Sequence, residues 1–254
     1  MYQRIQAAVM AWDIKTLSWY EPEIDLLQCA IAPGETVLDI GANFGLYSYH
    51  LSRAAGPSGF VVCFEPVPWT FEILTMVVGI LRLKNLRLIS KGCSDHSGQV
   101  TFRAPLQGNN VISAGNACIA SGDAAMFENA RFRYREFYCE VVALDEFLAQ
   151  SEPVSFIKCD VEGAEALVFQ GAASLVKRDM PTILCEIDKK RFASFDTDFA
   201  AFLRFFNEIG YGLYHYQPRG KGKGALRQTD GLRDDCVNYF LIPAPRLHRF
   251  GSWL

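Results

Sequence analysis

Carboxylates and glycines stand at spacings that could do chemistry in three stretches of this 254-residue chain. The sharpest is Thr36-Val37-Leu38-Asp39-Ile40-Gly41-Ala42-Asn43-Phe44-Gly45, a strand-like run with an acid at its tip and a glycine turn leading into a helical stretch. Gly41 and Gly45 remove side chains where the backbone must turn sharply or approach a ligand closely. Glu65 ends the next apolar run, twenty residues past Gly45. In a βαβ unit that is where an acid accepts hydrogen bonds from both ribose hydroxyls of a bound nucleoside. The third stretch is Lys158-Cys159-Asp160-Val161-Glu162-Gly163-Ala164-Glu165, with Glu186 at the end of the apolar run that follows.

A nucleoside cofactor is the direct reading, and the spacing selects among nucleosides. A dinucleotide site wants G-x-G-x-x-G, so that a pyrophosphate can sit on the helix N-terminus. Here the order is Asp-x-Gly-x-x-x-Gly. The Asp39 carboxylate would repel a pyrophosphate and attract a cationic aminoacyl head group. S-adenosylmethionine (SAM) has that ammonium and no phosphate. An NAD(P)-dependent oxidoreductase would share the sheet and Glu65, and a non-catalytic SAM-binding module would share the turn; both remain as alternatives.

Elements that could hold these residues in place follow from the periodicity. Strands are expected at Thr36–Ile40, Phe60–Phe64, Leu86–Ser90, Val154–Cys159 and Thr182–Ile187, and helices at Leu46–Ala54, Pro68–Leu81, Ala164–Lys177 and Asp198–Ile209. Such alternation argues for an α/β fold with a mostly parallel sheet covered on both faces. Two further strands, Gln99–Phe102 and Phe137–Ala143, flank a Gly/Asn/Ser/Ala-rich segment. Near the end, Tyr211–Tyr216 and Cys236–Ile242 could form an antiparallel pair joined by a loop over Gln217–Asp235. The expectation is one domain over 1–254, with an N-terminal helical segment at 1–33, broken at Glu21-Pro22, and an acceptor lid inserted at 105–135.

Composition narrows the partners. Twenty-five Lys+Arg against 28 Asp+Glu gives −3, which gives no support to a protein that holds nucleic acid by bulk charge. Eight cysteines contain no C-x-x-C pair and five lie in apolar runs, so they are read as packing residues in a reducing cytoplasm. The first residues, MYQRIQAAVMAWD, lack the apolar core of a secretory signal, and no uncharged run could cross a bilayer. A cytoplasmic protein without membrane or nucleic-acid partners is expected.

Asp39–Gly45 resembles motif I of the class I SAM-dependent methyltransferases, whose Rossmann-like fold has a mostly parallel seven-stranded sheet. The run Phe156–Glu165 is similar to the K-x-D-V-E-G-x-E signature of the FkbM-type methyltransferases. Tyr20-Glu21-Pro22-Glu23, Phe64-Glu65-Pro66, Cys93-Ser94-Asp95, Leu144-Asp145, Gln170-Gly171-Ala172 and Pro181 leading to Glu186 match in the family's order, from about 20 to 188. The resemblance implies methyl transfer from SAM, leaving S-adenosylhomocysteine (SAH), to a hydroxyl of a small metabolite such as a sugar or natural-product intermediate. It also implies that Asp39, Gly41, Ala42, Asn43 and Gly45 line the methionine end, that Glu65 holds the ribose, and that Ser94 or Asp95 lies beside the adenine.

A hydroxyl acceptor must lose its proton, which calls for a base within hydrogen-bond reach. Asp160 ends a strand at the crevice where open α/β sheets bind ligands and is the first choice, with Glu162 second and Glu186 a third carboxylate at the same edge. Asp160 could instead pair with Lys158 on the same strand face, and Glu162 could serve a helix dipole. Asp160, Glu186 and Asp188 could together attract a divalent cation, but nothing in the pattern demands one and no metal is expected. His50, His96, His215 and His248 show no metal-ligand pairing, though His215 could approach substrate. Arg131, Arg133 and Arg135, and Arg219, Lys221, Lys223 and Arg227, read as solvated faces, with recognition of an anionic acceptor as the alternative.

Overall fold

Alternate residues of the central strands point into two different cores. Leu38, Ile40, Ile157 and Cys159 pack on one face of the sheet, while Val37, Phe156 and Leu184 pack on the other. A strand buried on both faces needs apolar residues at every position, which is what β1 (Thr36–Ile40) and β9 (Val154–Cys159) supply apart from Thr36, Asp39, Ser155 and Lys158. This computed structural model describes residues 2–16, 20–107, 111–112, 118–120, 133–195, 197–219 and 222–254.

The chain opens with α1 (Tyr2–Thr16), a 3-10 turn (Pro22–Leu26) and α2 (Leu27–Ala30). After β1 come α3 (Leu46–Ala55), β2 (Phe60–Phe64), α4 (Pro68–Leu81) and β3 (Leu86–Ile89). Next are β4 (Gly92–Cys93), β5 (Gly98–Gln107), β6 (Val111–Ile112), β7 (Cys118–Ile119), β8 (Tyr134–Val142) and α5 (Leu144–Phe147). β9 then leads to α6 (Glu165–Gln170), α7 (Ala173–Asp179), β10 (Thr182–Glu186), α8 (Lys189–Ala193), α9 (Phe199–Glu208), β11 (Tyr211–Arg219), β12 (Gly222–Thr229) and β13 (Asn238–Pro243).

The main sheet has the order β12-β11-β13-β10-β9-β1-β2-β3. β10, β9, β1, β2 and β3 run parallel, and β13, β11 and β12 complete the edge with antiparallel pairings. It therefore has eight strands rather than seven. The extra one is β12, inside the stretch expected to be a loop over 217–235. Gly222 and Gly224 hid the strand pattern, yet the following Ala225 and Leu226 are buried and β12 pairs with β11. A smaller sheet, β4-β8-β5-β6 with β7 on β5, stands beside it.

The helix expected over Ala164–Lys177 is two helices. Gly171 ends the first, and a Cβ there would meet the carbonyl oxygen of Ser94 at 2.1 Å, so close backbone packing takes precedence over helix continuity. The N-terminal segment is likewise shorter in its helices than expected over 1–33. Ala7, Ala11 and Ile14 of α1 pack on Ile73, Val77 and Leu81 of α4, which carries α1 to the sheet edge where the parallel strands end. Most of the 105–135 segment lies outside the described residues; Ile119, within it, is buried beside Phe102. Cys29, Cys63, Cys93, Cys139, Cys159, Cys185 and Cys236 are free thiols, and no described helix is long and apolar enough to cross a membrane.

Candidate active site

A cleft of about 250 Å³ opens at the carboxyl ends of β1, β2, β9 and β10. The turn after β1 shapes its floor. Gly41 has a φ of 80°, and a Cβ there would fall 1.8 Å from the Asp160 carbonyl oxygen. Only glycine lets the ends of β1 and β9 meet this way. Ala42 lies on the cleft wall, and Gly45 precedes α3 in a left-handed conformation.

Asn43 also has a left-handed φ, 49°, which aims its backbone N–H at Glu65; that N–H donates to Glu65 Oε2 at 2.9 Å. The Val67 N–H donates to Glu65 Oε1, also at 2.9 Å. The carboxylate is thus fixed at the end of β2 with one lone pair on each oxygen still available to a ligand. Burial raises Glu65 to about 7 against the pull of these two bonds. Asp39 is buried beneath the turn, accepts from Ser48 Oγ at 2.5 Å, and is pushed up to about 6 by burial. The side-chain Oδ1 of Asn43, on the cleft wall, is buried without a hydrogen-bond partner.

A second group of charges sits where β9 and β10 end. Asp160 and Glu186 both line this end of the cleft, and Glu186 is raised to about 8 by burial first and then by the Asp160 charge, with Lys158 opposing. A like charge nearby disfavours ionisation, so Glu186 holds its proton more tightly than an isolated carboxyl does. The Asp160 side chain lies 3.6 Å from Lys158 Nζ. The ammonium also stands over the Tyr47 ring, 4.8 Å from its centroid, and Tyr47 donates its hydroxyl to Glu21 Oε2 at 2.6 Å. Burial would depress the lysine, but Asp160, Glu186 and Glu21 outweigh it and hold Lys158 above its ordinary value.

Other residues singled out in the sequence fall elsewhere. Glu162 lines the cleft but is ion-paired with Arg191 of α8, and it lies in the turn before α6 rather than in that helix. The helix-start role belongs to Glu165, whose Oε1 accepts from the Gly163 N–H at 3.0 Å and the Val161 N–H at 3.3 Å. Asp188 caps α8 by accepting from the Lys190 and Arg191 N–H groups. Ser94 and Asp95 follow β4, with Ser94 Oγ and His96 both bonded to Asp95; neither lines the cleft. His215 pairs within the sheet edge, and burial lowers it. Arg131 and Lys221 lie outside the described residues. Among the described residues no group of three or more His, Cys, Asp or Glu side chains is arranged to hold a metal ion.

Tyr47 and the α1 residues Met10, Asp13 and Ile14 also line the cleft, and sequence reading missed them. Tyr47 looks like any apolar helix position. The α1 residues reach the cleft only because α1 docks on α4, and a local pattern carries no such information.

The donor set can be tested against SAM. Around the glycine turn the cleft offers Asp39, Glu65 and the unpartnered Asn43 Oδ1, all acceptors, and among the described lining residues the only basic side chain is Lys158. These groups suit an ammonium, a sulfonium and ribose hydroxyls, and they oppose a pyrophosphate. Cys93, Phe102 and Ile119 give the cleft an apolar end.

The sequence profile of the methyltransferase FkbM domain matches residues 39–213. No curated protein sequence matches the chain. Among solved structures, methyltransferase FkbM from Methylobacillus flagellatus KT superposes with a TM-score of 0.50 at 14% identity, covering 82% of this chain. This chain spans 43% of that protein's length. A SAM-dependent O-methyltransferase from Thermotoga maritima gives 0.46 at 10% identity over 92% of this chain and 71% of its own. A SAM-dependent methyltransferase from Aquifex aeolicus gives 0.44 at 15% identity over 91% and 96%. At these identities the likeness concerns the fold alone.

Proposed function

The chain belongs to the methyltransferase FkbM domain family, and from that premise we propose that it transfers a methyl group from SAM to a hydroxyl oxygen of a small metabolite, such as a sugar or natural-product intermediate. Bound SAM would supply a methyl group already activated on a sulfonium. The chain's own residues would then bind, orient and take a proton.

Glu65 would accept from the ribose hydroxyls through the lone pairs its backbone partners leave open. Asn43 Oδ1 and the Asp39 side of the turn would face the aminoacyl end, and the apolar end by Phe102 and Ile119 would take the adenine ring. This reading moves the adenine away from Ser94 and Asp95. The observation that carries the proposal is the Asp160–Glu186 carboxyl pair, which shares the cleft with the glycine turn. Glu186 is raised by burial and by the Asp160 charge, which leaves Asp160 as the carboxylate to accept the hydroxyl proton as the oxygen attacks. Glu162 is the weaker candidate because Arg191 occupies its carboxylate.

The acidic lining favours a neutral hydroxylated acceptor over a phosphate-bearing one at the point of attack. The test is SAH formation from SAM against a panel of methyl glycosides, inositols and phenols, with Asp160→Asn in parallel. The reading expects turnover of at least one alcohol by the wild type and its loss in the variant; equal rates for both proteins would remove Asp160 from the chemistry.

A further inference from the structure

Lys158 is the one described cation in the cleft and is 1% exposed. Its Nζ has no hydrogen-bond partner. Asp160 at 3.6 Å is too distant for a hydrogen bond, and Tyr47 offers only a ring face. A buried ammonium has three donors, and leaving them unused is costly unless something that binds there accepts from them. Glu21, Asp160 and Glu186 keep the group charged, so it cannot escape the cost by losing a proton.

Resting on the methyltransferase reading above, we propose that the Lys158 ammonium is a catalytic group that donates a hydrogen bond to the acceptor's attacking oxygen. The geometry gives the two neighbours separate duties. Asp160 and Glu186 lie beside the ammonium and can take the hydroxyl proton, while Lys158 stabilises the negative charge that the same oxygen gains. The acceptor oxygen forms a bond to the methyl carbon, its proton passes to the carboxylate pair, and the electron pair of the broken carbon–sulfur bond stays on sulfur. The chemical class this site takes is therefore an alcohol or phenol whose reacting oxygen fits between an ammonium and a carboxylate. Tyr47 and Glu21 act as positioning residues, because the Tyr47 ring supports the ammonium and its hydroxyl is anchored by Glu21.

Trifluoroethanol, a small one-hydroxyl probe, tests this without knowledge of the natural acceptor. Its ¹⁹F transverse relaxation is measured with SAH-loaded wild type, Lys158→Met and Lys158→Arg, and SAH affinity is measured by calorimetry for each. The expected result is enhanced relaxation with wild type, loss of the enhancement in K158M, partial retention in K158R, and SAH affinities within about threefold of one another. On any alcohol the wild type methylates, K158M should lose about 100-fold or more in kcat. Equal probe relaxation in wild type and K158M, or none in wild type, would overturn the proposal. Should K158M fail to fold, relaxation in K158R indistinguishable from wild type would overturn it instead. If wild type fails to bind SAH at all, it is the methyltransferase reading that fails.

Discussion

Gly41 and Asp160 meet backbone to backbone: a Cβ on Gly41 would stand 1.8 Å from the Asp160 carbonyl oxygen, and the Asp160 N–H donates to the Ile40 carbonyl at 3.0 Å. The glycine turn and Asp160 therefore occupy one rigid junction. Gly41→Ala forces apart the ends of β1 and β9 and adds strain from a positive φ. It should cost on the order of 3 kcal/mol of stability. Urea denaturation would read this, and a midpoint unchanged from wild type would show that the junction yields.

Glu162 and Asp160 lie two residues apart and face different partners, Arg191 and the Lys158–Glu186 group. Asp160→Asn should reduce kcat about 100-fold or more, the scale of a lost general base. Glu162→Gln should cost less than about tenfold in kcat while lowering the melting temperature, because it removes a pairing that ties the turn to α8. Steady-state kinetics on a methylated acceptor, beside thermal melts, would separate the two roles. A larger kcat loss in E162Q than in D160N would reverse them.

Five buried or half-buried carboxyls are raised: Asp39 to about 6, Glu65 and Glu165 to about 7, Glu186 to about 8, and Glu23 above its ordinary value, in each case chiefly through burial. The folded chain then binds more protons than the unfolded chain between the ordinary carboxylate range and these values. Stability without cofactor should therefore be full at about pH 4.5 and decline as pH rises toward about 8. Glu165→Gln keeps the carbonyl that accepts from Gly163 and Val161 and removes one of these titrations. Its melting temperature should fall less steeply with pH than that of wild type; an equal slope would mean that Glu165 does not change protonation on unfolding.

The parallel strands, the glycine turn and both acidic segments were legible because each depends on local spacing. Burial on two faces demands continuous apolar runs, and a close backbone turn demands glycine. β12 was hidden because its glycines lie in a charged, Gly-rich stretch of sequence, and its strand character comes from pairing with β11. The break at Gly171 was hidden because Ser94, the residue it accommodates, is far away in sequence. In the site, Asp160, Glu186 and Glu65 could be named from strand ends. Lys158 could be named only as a partner for Asp160, since its isolation from hydrogen-bond acceptors depends on Tyr47 and Glu21 arriving from α3 and the N-terminal segment.

The proposal that this cleft binds SAM is tested most directly by calorimetric titration of SAH and of NADH into wild type and Glu65→Ala. SAH should bind the wild type, NADH should not, and E65A should weaken SAH by at least about tenfold, which is about 1.4 kcal/mol. NADH binding, or SAH affinity unchanged in E65A, would contradict the assignment.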